Sequence, residues 1–241
     1  MSSIALATCS IVGRRRDGRY TTATAFFIGP TTLLTAGHSV AEVGKTIWAQ
    51  LPGLETCHPN PSEVFQGITS ISRFPCYVKE RLYAGSQDKD IAILKTEGFR
   101  GAYTDKVELD NGIQDTETDL VYVIGYPGEY SMSSIQAKYA SRVKSVKEAF
   151  QQALIALPPF ELAVTCGKLI TGGENPVYKA STIAGMSGSP VVFKGKVVGD
   201  LIKMTALIPG VHAGCVDENE NYCVALSNER VRERIKRALG S

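Results

Sequence analysis

Several things are scarce or missing in this sequence, and each shortage excludes a class of protein. No apolar run reaches the roughly 18 residues that a membrane-spanning helix requires, so no such helix is expected. Charge of one sign is also lacking. The 26 Lys and Arg face 24 Asp and Glu, a formal net charge of +2, and no strong field gathers nucleic acid or acidic membrane. Neither is expected as a partner. There is no internal repeat and no low-complexity segment, and 23 glycines with 11 prolines are ordinary usage, which excludes a collagen-like chain. No Cys-x-x-Cys pair occurs among Cys9, Cys57, Cys76, Cys166, Cys215 and Cys223. An even count permits disulfides, with Cys215 and Cys223 spaced to face each other across a hairpin, but the wide, irregular spacing favours free buried thiols. Cys57, His58 and Cys76 lack the ligand spacing of a zinc site, so no metal is expected. A basic segment before the first apolar stretch is missing too: Arg14, Arg15 and Arg16 follow it, the reverse of a secretory signal. Localisation stays open between a cytoplasmic protein, the favoured reading, and a secreted mature form or excised domain, and membership of a larger polypeptide is open too.

What the chain does have is 44% apolar and 21% charged residues over 241 positions, with a mean hydropathy of −0.02. That suits a soluble globule able to bury a full core, as one large domain or two small units sharing an interface. Short runs rich in Val, Ile, Thr and aromatics predict strands at 24–28, 32–35, 46–51, 67–74, 90–95, 119–124, 135–143, 162–170, 176–182, 191–193, 196–202 and 222–226. Helices are predicted at 143–156 and 228–239, the latter with Val231, Ile235, Ala238 and Leu239 on one face. Arg230, Arg234 and Arg237 on its other face read as a solvated helix end favoured by the macrodipole. Many short strands and few helices predict an all-β sandwich or barrel. A polar stretch at 110–118 suits a linker between two β units.

Three distant segments carry chemistry. Leu33-Leu34-Thr35-Ala36-Gly37-His38 is an apolar strand ending in a small-residue turn that presents a histidine. Asp88-Lys89-Asp90-Ile91-Ala92-Ile93-Leu94 places an acid before a buried strand. Gly185-Met186-Ser187-Gly188-Ser189-Pro190 holds serine among glycines between strands. Acyl transfer by serine needs these three types. The hydroxyl is too weak an acid to attack unaided, so an imidazole takes its proton, and a carboxylate fixes the imidazole's tautomer and stabilises its charged form. Glycines beside the serine let backbone N–H groups face a developing oxyanion. Each segment alone reads as a turn or a cap. Together, in the order His, Asp, Ser, they point to one site between two β units.

These three segments resemble the signatures of the chymotrypsin/trypsin-fold serine peptidases. Within that group the chain is most similar to the glutamyl-endopeptidase (V8-like) branch. Gly125-Tyr126-Pro127-Gly128 after a strand, Pro190 after the serine loop and Asn228-Glu229-Arg230-Val231 in the closing helix extend the likeness from about Tyr20 to Leu239. The resemblance implies two packed six-stranded antiparallel β-barrels with a C-terminal α-helix. Residues 1–112 would carry His38 and Asp90, and residues 113–241 would carry Ser187 and the helix 228–239. It implies His38 as general base, Asp90 as its orienter and Ser187 as nucleophile, with the N–H groups of Gly185 and Ser187 as oxyanion hole and no cofactor. Asp90 is preferred to Asp88 because it directly precedes the Ile-Ala-Ile-Leu strand, and Ser187 to Ser189 because the family sets its nucleophile between Gly-X and Gly. His58 and His212 lack the Thr-Ala-Gly context.

Departures from the family pattern are informative. Phe26 or Phe27 and Ser39 stand where secreted animal trypsins have a cysteine pair, which agrees with a bacterial, fungal or viral type. Met186 stands where zymogen-type trypsins have an Asp that pairs with a freed N-terminus, so activation by such an insertion is not expected. By resemblance the pocket for the residue before the scissile bond (P1) involves Ser181, Thr182, Leu201, Ile202 and Lys203. Ser181 replaces the trypsin Asp, which argues against basic P1 residues and leaves small, apolar and acidic ones open. The stretch 146–171 is longer than the resemblance calls for and suits either a lid or docking element beside the cleft or a plain surface insertion. A protein or peptide is the expected substrate. The alternatives are a catalytically silent binding module on the same fold, or a viral peptidase that processes its own precursor.

Overall fold

The computed structural model describes residues 2–51, 73–82, 90–98, 120–139, 144–171, 177–193, 196–203, 221–226 and 228–240. Twelve strands among them form two closed barrels joined by antiparallel pairs throughout. The first comprises β1 (Thr8–Arg15), β2 (Tyr20–Gly29), β3 (Thr32–Ala36), β4 (Val43–Gln50), β5 (Arg73–Leu82) and β6 (Ile91–Thr96). Its order is β1-β2-β3-β6-β5-β4, closed by β4 on β1. The second comprises β7 (Leu120–Gly125), β8 (Ala163–Thr171), β9 (Val177–Ala180), β10 (Pro190–Phe193), β11 (Lys196–Lys203) and β12 (Asn221–Ala225). Its order, β7-β8-β9-β12-β11-β10 closed by β10 on β7, repeats that of the first. The two halves share a topology with no sequence repeat, because closure of a barrel constrains alternation and register rather than residue identity. The expected junction at 112/113 lies outside the described residues.

The helices among the described residues are α1 (Ser2–Ala7), α2 (Gly37–Val40), α3 (Met132–Tyr139), α4 (Val146–Ala156) and α5 (Glu229–Leu239). None of them is long and apolar enough to cross a membrane. Each barrel has its own core. Phe27, Leu33, Ile47 and Leu94 fill the first, and Val121, Leu169, Tyr178 and Val191 fill the second. A third cluster lies across the seam: Phe26, Leu34 and Ile93 of the first barrel meet Ile124 and Val192 of the second. The buried stripe of α5 (Val231, Ile235 and Ala238) closes this seam. At the helix end, the Lys95 ammonium of β6 donates to the carbonyl of Ala238 at 2.9 Å and to Thr32 Oγ1 at 2.5 Å. This geometry fastens the second half of the chain to the first barrel.

The sequence marks both ends of α5. Asn228 accepts from the N–H of Arg230 at 3.1 Å, and Gly240 takes the left-handed conformation with φ 86°. Asn228→Ala is expected to lower stability by about 1 kcal/mol, a fall of roughly 2–4 °C in Tm by thermal denaturation.

Some elements differ from the sequence expectation. Residues 132–139 are helical where a strand at 135–143 was expected. Met, Gln, Ala and Lys favour a helix there, and Ile135 is buried. Strand β1 and helix α1 were not foreseen. The first six residues of β1 are all buried, so no alternation marks the strand. In α4, Ser145 caps the N–H of Glu148 at 3.3 Å, and Ala149, Ala153 and the following Leu157 enter the core of the second barrel. This part of the long 146–171 stretch is therefore fixed against the barrel.

Candidate active site

Strand register brings the first two groups together. Strands β3 and β6 pair with Ala36 opposite Ile91, so the residues just after β3 and just before β6 meet at one barrel end. The N–H of Gly37 donates to the Asp90 carbonyl at 3.0 Å, and that of His38 donates to Asp90 Oδ1 at 2.6 Å. The other carboxylate oxygen lies 2.5 Å from His38 Nδ1. The Asp90 side chain is only 5% exposed, so its charge faces these two N–H groups rather than water, whereas the His38 ring is 39% exposed. With Nδ1 carrying a proton toward the carboxylate, Nε2 is left as an acceptor. Nε2 lies 3.1 Å from Ser187 Oγ, within hydrogen-bond reach.

Ser187 comes from the loop between β9 and β10 and reaches His38 across the seam. Two glycines shape that loop, Gly185 with φ 95° and Gly188 with φ 85°, both in the region that disfavours L side chains. A Cβ on Gly188 would overlap the Thr24 carbonyl and the Thr35 hydroxyl, and one on Gly185 would overlap the amide of Gly128. Gly128 N–H donates to the carbonyl of Ala184 at 2.5 Å, and Ser189 N–H to that of Met186 at 3.0 Å. C=O and N–H of a trans peptide point in opposite directions. The N–H groups of Gly185 and Ser187 are therefore turned away from Gly128 and Ser189, and among the described residues neither has an acceptor.

Ser189, the other serine of the loop, is fully buried, and among the described residues its Oγ has no hydrogen-bond partner. Ser189→Ala is expected to leave peptide cleavage within about threefold and stability unchanged or raised by about 1 kcal/mol, since it removes an unpaired buried polar atom. Steady-state kinetics and thermal denaturation check both. Met186 is also fully buried, among the apolar residues of the second core. Asp88, His58 and His212 lie outside the described residues.

The residues expected around P1 are less uniformly placed. Ser181 is half-buried. Thr182 is fully buried, with its hydroxyl donating to Asn221 Oδ1 at 2.9 Å, while the Asn221 amide donates to the Ala180 carbonyl at 2.8 Å. Leu201, Ile202 and Lys203 lie on β11, which pairs with β12. A cavity of about 270 Å3, not anticipated from sequence, opens beside His38 between Thr21, Ser39 and the paired Arg15 and Glu42. Of the cysteines, Cys9 and Cys76 are buried and unpaired and Cys166 is exposed. Burial pushes the Cys76 thiol up to about 12 and the Cys9 thiol well above its ordinary value, the latter also through neighbouring Cys76. Neither is disposed to form a nucleophilic thiolate.

Twin six-stranded barrels, with an imidazole, a buried carboxylate and a serine hydroxyl at their seam, have the chymotrypsin architecture. The chain belongs to the trypsin-like peptidase domain family, whose sequence profile matches residues 23–199. Among solved structures it is similar to the active form of the Rv3671c protease from M. tuberculosis, at 13% identity and a TM-score of 0.60, covering 100% of this chain and 83% of that one. It is similar also to a Glu endopeptidase in complex with MPD, at 14% identity and a TM-score of 0.61, covering 100% and 94%. At these identities the likeness is one of fold. A comparison with curated protein sequences found no match. As a member of this family the protein is a peptidase acting on proteins or peptides.

Proposed function

We propose that this protein is a serine endopeptidase that cleaves through an acyl-enzyme, with Ser187 as nucleophile, His38 as general base and acid, and Asp90 as orienter. The observation that carries the reading is the unbroken chain from Asp90 Oδ2 through His38 to Ser187 Oγ, at 2.5 Å and 3.1 Å. In the first step Ser187 Oγ attacks the scissile carbonyl carbon and its proton passes to His38 Nε2. The carbonyl oxygen becomes an oxyanion held by the N–H groups of Gly185 and Ser187, each such donor being worth about 2.7–4 kcal/mol. As the C–N bond breaks, the imidazolium gives its proton to the departing amine. Water, deprotonated by the same ring, then attacks the ester and restores Ser187.

For Asp90 the supporting feature is its burial against two N–H donors, which fixes the ring tautomer without exposing the carboxylate. Ser181, Thr182 and the β11 segment Leu201, Ile202 and Lys203 form the P1 pocket in this reading, with Thr182 a buried support through its bond to Asn221. The cavity beside His38 offers room for further substrate residues. A peptide library incubated with the protein, with the new termini identified by mass spectrometry, is expected to show internal cleavage and little after Arg or Lys. Release of single residues from the ends only, or no cleavage at all, contradicts the reading.

A further inference from the structure

Thr24 lies on β2 in the first barrel and is fully buried, yet every polar atom of it is engaged, three of its four hydrogen bonds going to loops of the second barrel. Its N–H donates to the carbonyl of Ser187 at 2.9 Å, and its own carbonyl accepts from Thr35 Oγ1 at 2.7 Å. Its hydroxyl accepts from the N–H of Tyr126 at 2.9 Å. Since that N–H can only donate, the single hydroxyl proton is free for the Gly185 carbonyl, 3.0 Å away. One side chain of the first barrel thus clips together two loops of the second.

What the clip holds is specific. The carbonyls of residues 184 to 187 are all engaged: Ala184 by Gly128, Met186 by Ser189, and both Gly185 and Ser187 by Thr24. The Gly185–Met186 peptide links the two peptide planes whose N–H groups face the proposed oxyanion. Rotating it tilts both planes, and Gly185, with no side chain and φ 95°, offers little resistance. We infer that the Thr24 hydroxyl is a positioning residue for the oxyanion hole, locking the Gly185 carbonyl outward so that the N–H groups of Gly185 and Ser187 converge. It touches no substrate and acts through Gly185. The inference rests on the serine-peptidase reading above.

The test compares wild type with Thr24→Val, which keeps the shape and removes the hydroxyl, and Thr24→Ser, which restores it. Loss of one oxyanion donor costs roughly 10²–10³ in kcat, so misalignment of the pair is expected to lower kcat by about 10- to 100-fold in Thr24→Val. KM is expected to stay within about threefold, since ground-state contacts are untouched. Affinity for a peptide boronic acid, whose tetrahedral adduct places a charged oxygen in the hole, is expected to fall by the same factor as kcat. Thr24→Ser is expected to recover both. If Thr24→Val does not fold, the pair Thr24→Ser and Thr24→Ala, differing by one oxygen, supplies the same comparison. Equal kcat and equal boronate affinity with and without the hydroxyl, whatever happens to Tm, overturn the inference. Wild-type protein that fails to take up a fluorophosphonate at Ser187 overturns instead the reading beneath it.

Discussion

Ser187→Ala is expected to lower kcat by about 10⁴- to 10⁶-fold while leaving the fold intact. Without Oγ no acyl-enzyme forms, and only the slow attack of water on a bound, polarised peptide remains. The fold is expected to survive because the side chain is half-exposed and, among the described residues, its hydroxyl bonds to His38 alone. Tm is therefore expected to move by no more than about 2–4 °C, the shift of roughly 1 kcal/mol in a chain of this size. Progress curves on a cleaved peptide, beside thermal denaturation, separate lost chemistry from lost structure. A variant that keeps more than about a tenth of wild-type kcat assigns the nucleophile elsewhere.

Asp90→Asn is the second large effect, an expected fall of about 10⁴-fold in kcat, the scale seen when the orienting carboxylate of such a triad becomes an amide. The geometry explains the size. Both oxygens of Asp90 face N–H groups, the amide of His38 at 2.6 Å and the ring Nδ1 at 2.5 Å. An asparagine has one oxygen and one NH2. If the oxygen stays on the backbone amide, the NH2 faces Nδ1, which must then accept and shift its proton to Nε2. A protonated neutral Nε2 cannot take the proton of Ser187. The effect is expected in kcat with KM little changed, because no substrate contact is removed. Parallel loss of KM and Tm would instead mark Asp90 as a structural cap.

Much of this site was readable from sequence because its chemistry demands particular residue types in particular local settings. A histidine after Thr-Ala-Gly, an acid directly before Ile-Ala-Ile-Leu and a serine between glycines are each local, and in the structure His38, Asp90 and Ser187 lie in contact. The glycines were legible as positions that let backbone N–H groups face an oxyanion, and the structure adds that Gly185 and Gly188 have positive φ. Thr24 was not. It reads as one β-former among several in Thr-Thr-Ala-Thr-Ala-Phe-Phe, and its partners are 102 and 161 residues away, where only the packing of two barrels joins them. The fold shows the same division. Most strands followed from β-branched and aromatic runs, but β1, buried on both faces, lacks the alternation that identifies one. Residues 132–139 are helical although Ile135 and Tyr139 are strand formers, because Met132, Gln136, Ala137 and Lys138 carry the higher helix propensity.

The most direct measurement is reaction of the native protein with a fluorophosphonate, followed by intact-mass analysis and peptide mapping. The predicted result is one adduct per chain, on Ser187, lost in Ser187→Ala, retained in Ser189→Ala and strongly slowed in Asp90→Asn. Folded protein that cleaves peptides yet takes up no adduct, or carries it on another residue, contradicts the assignment.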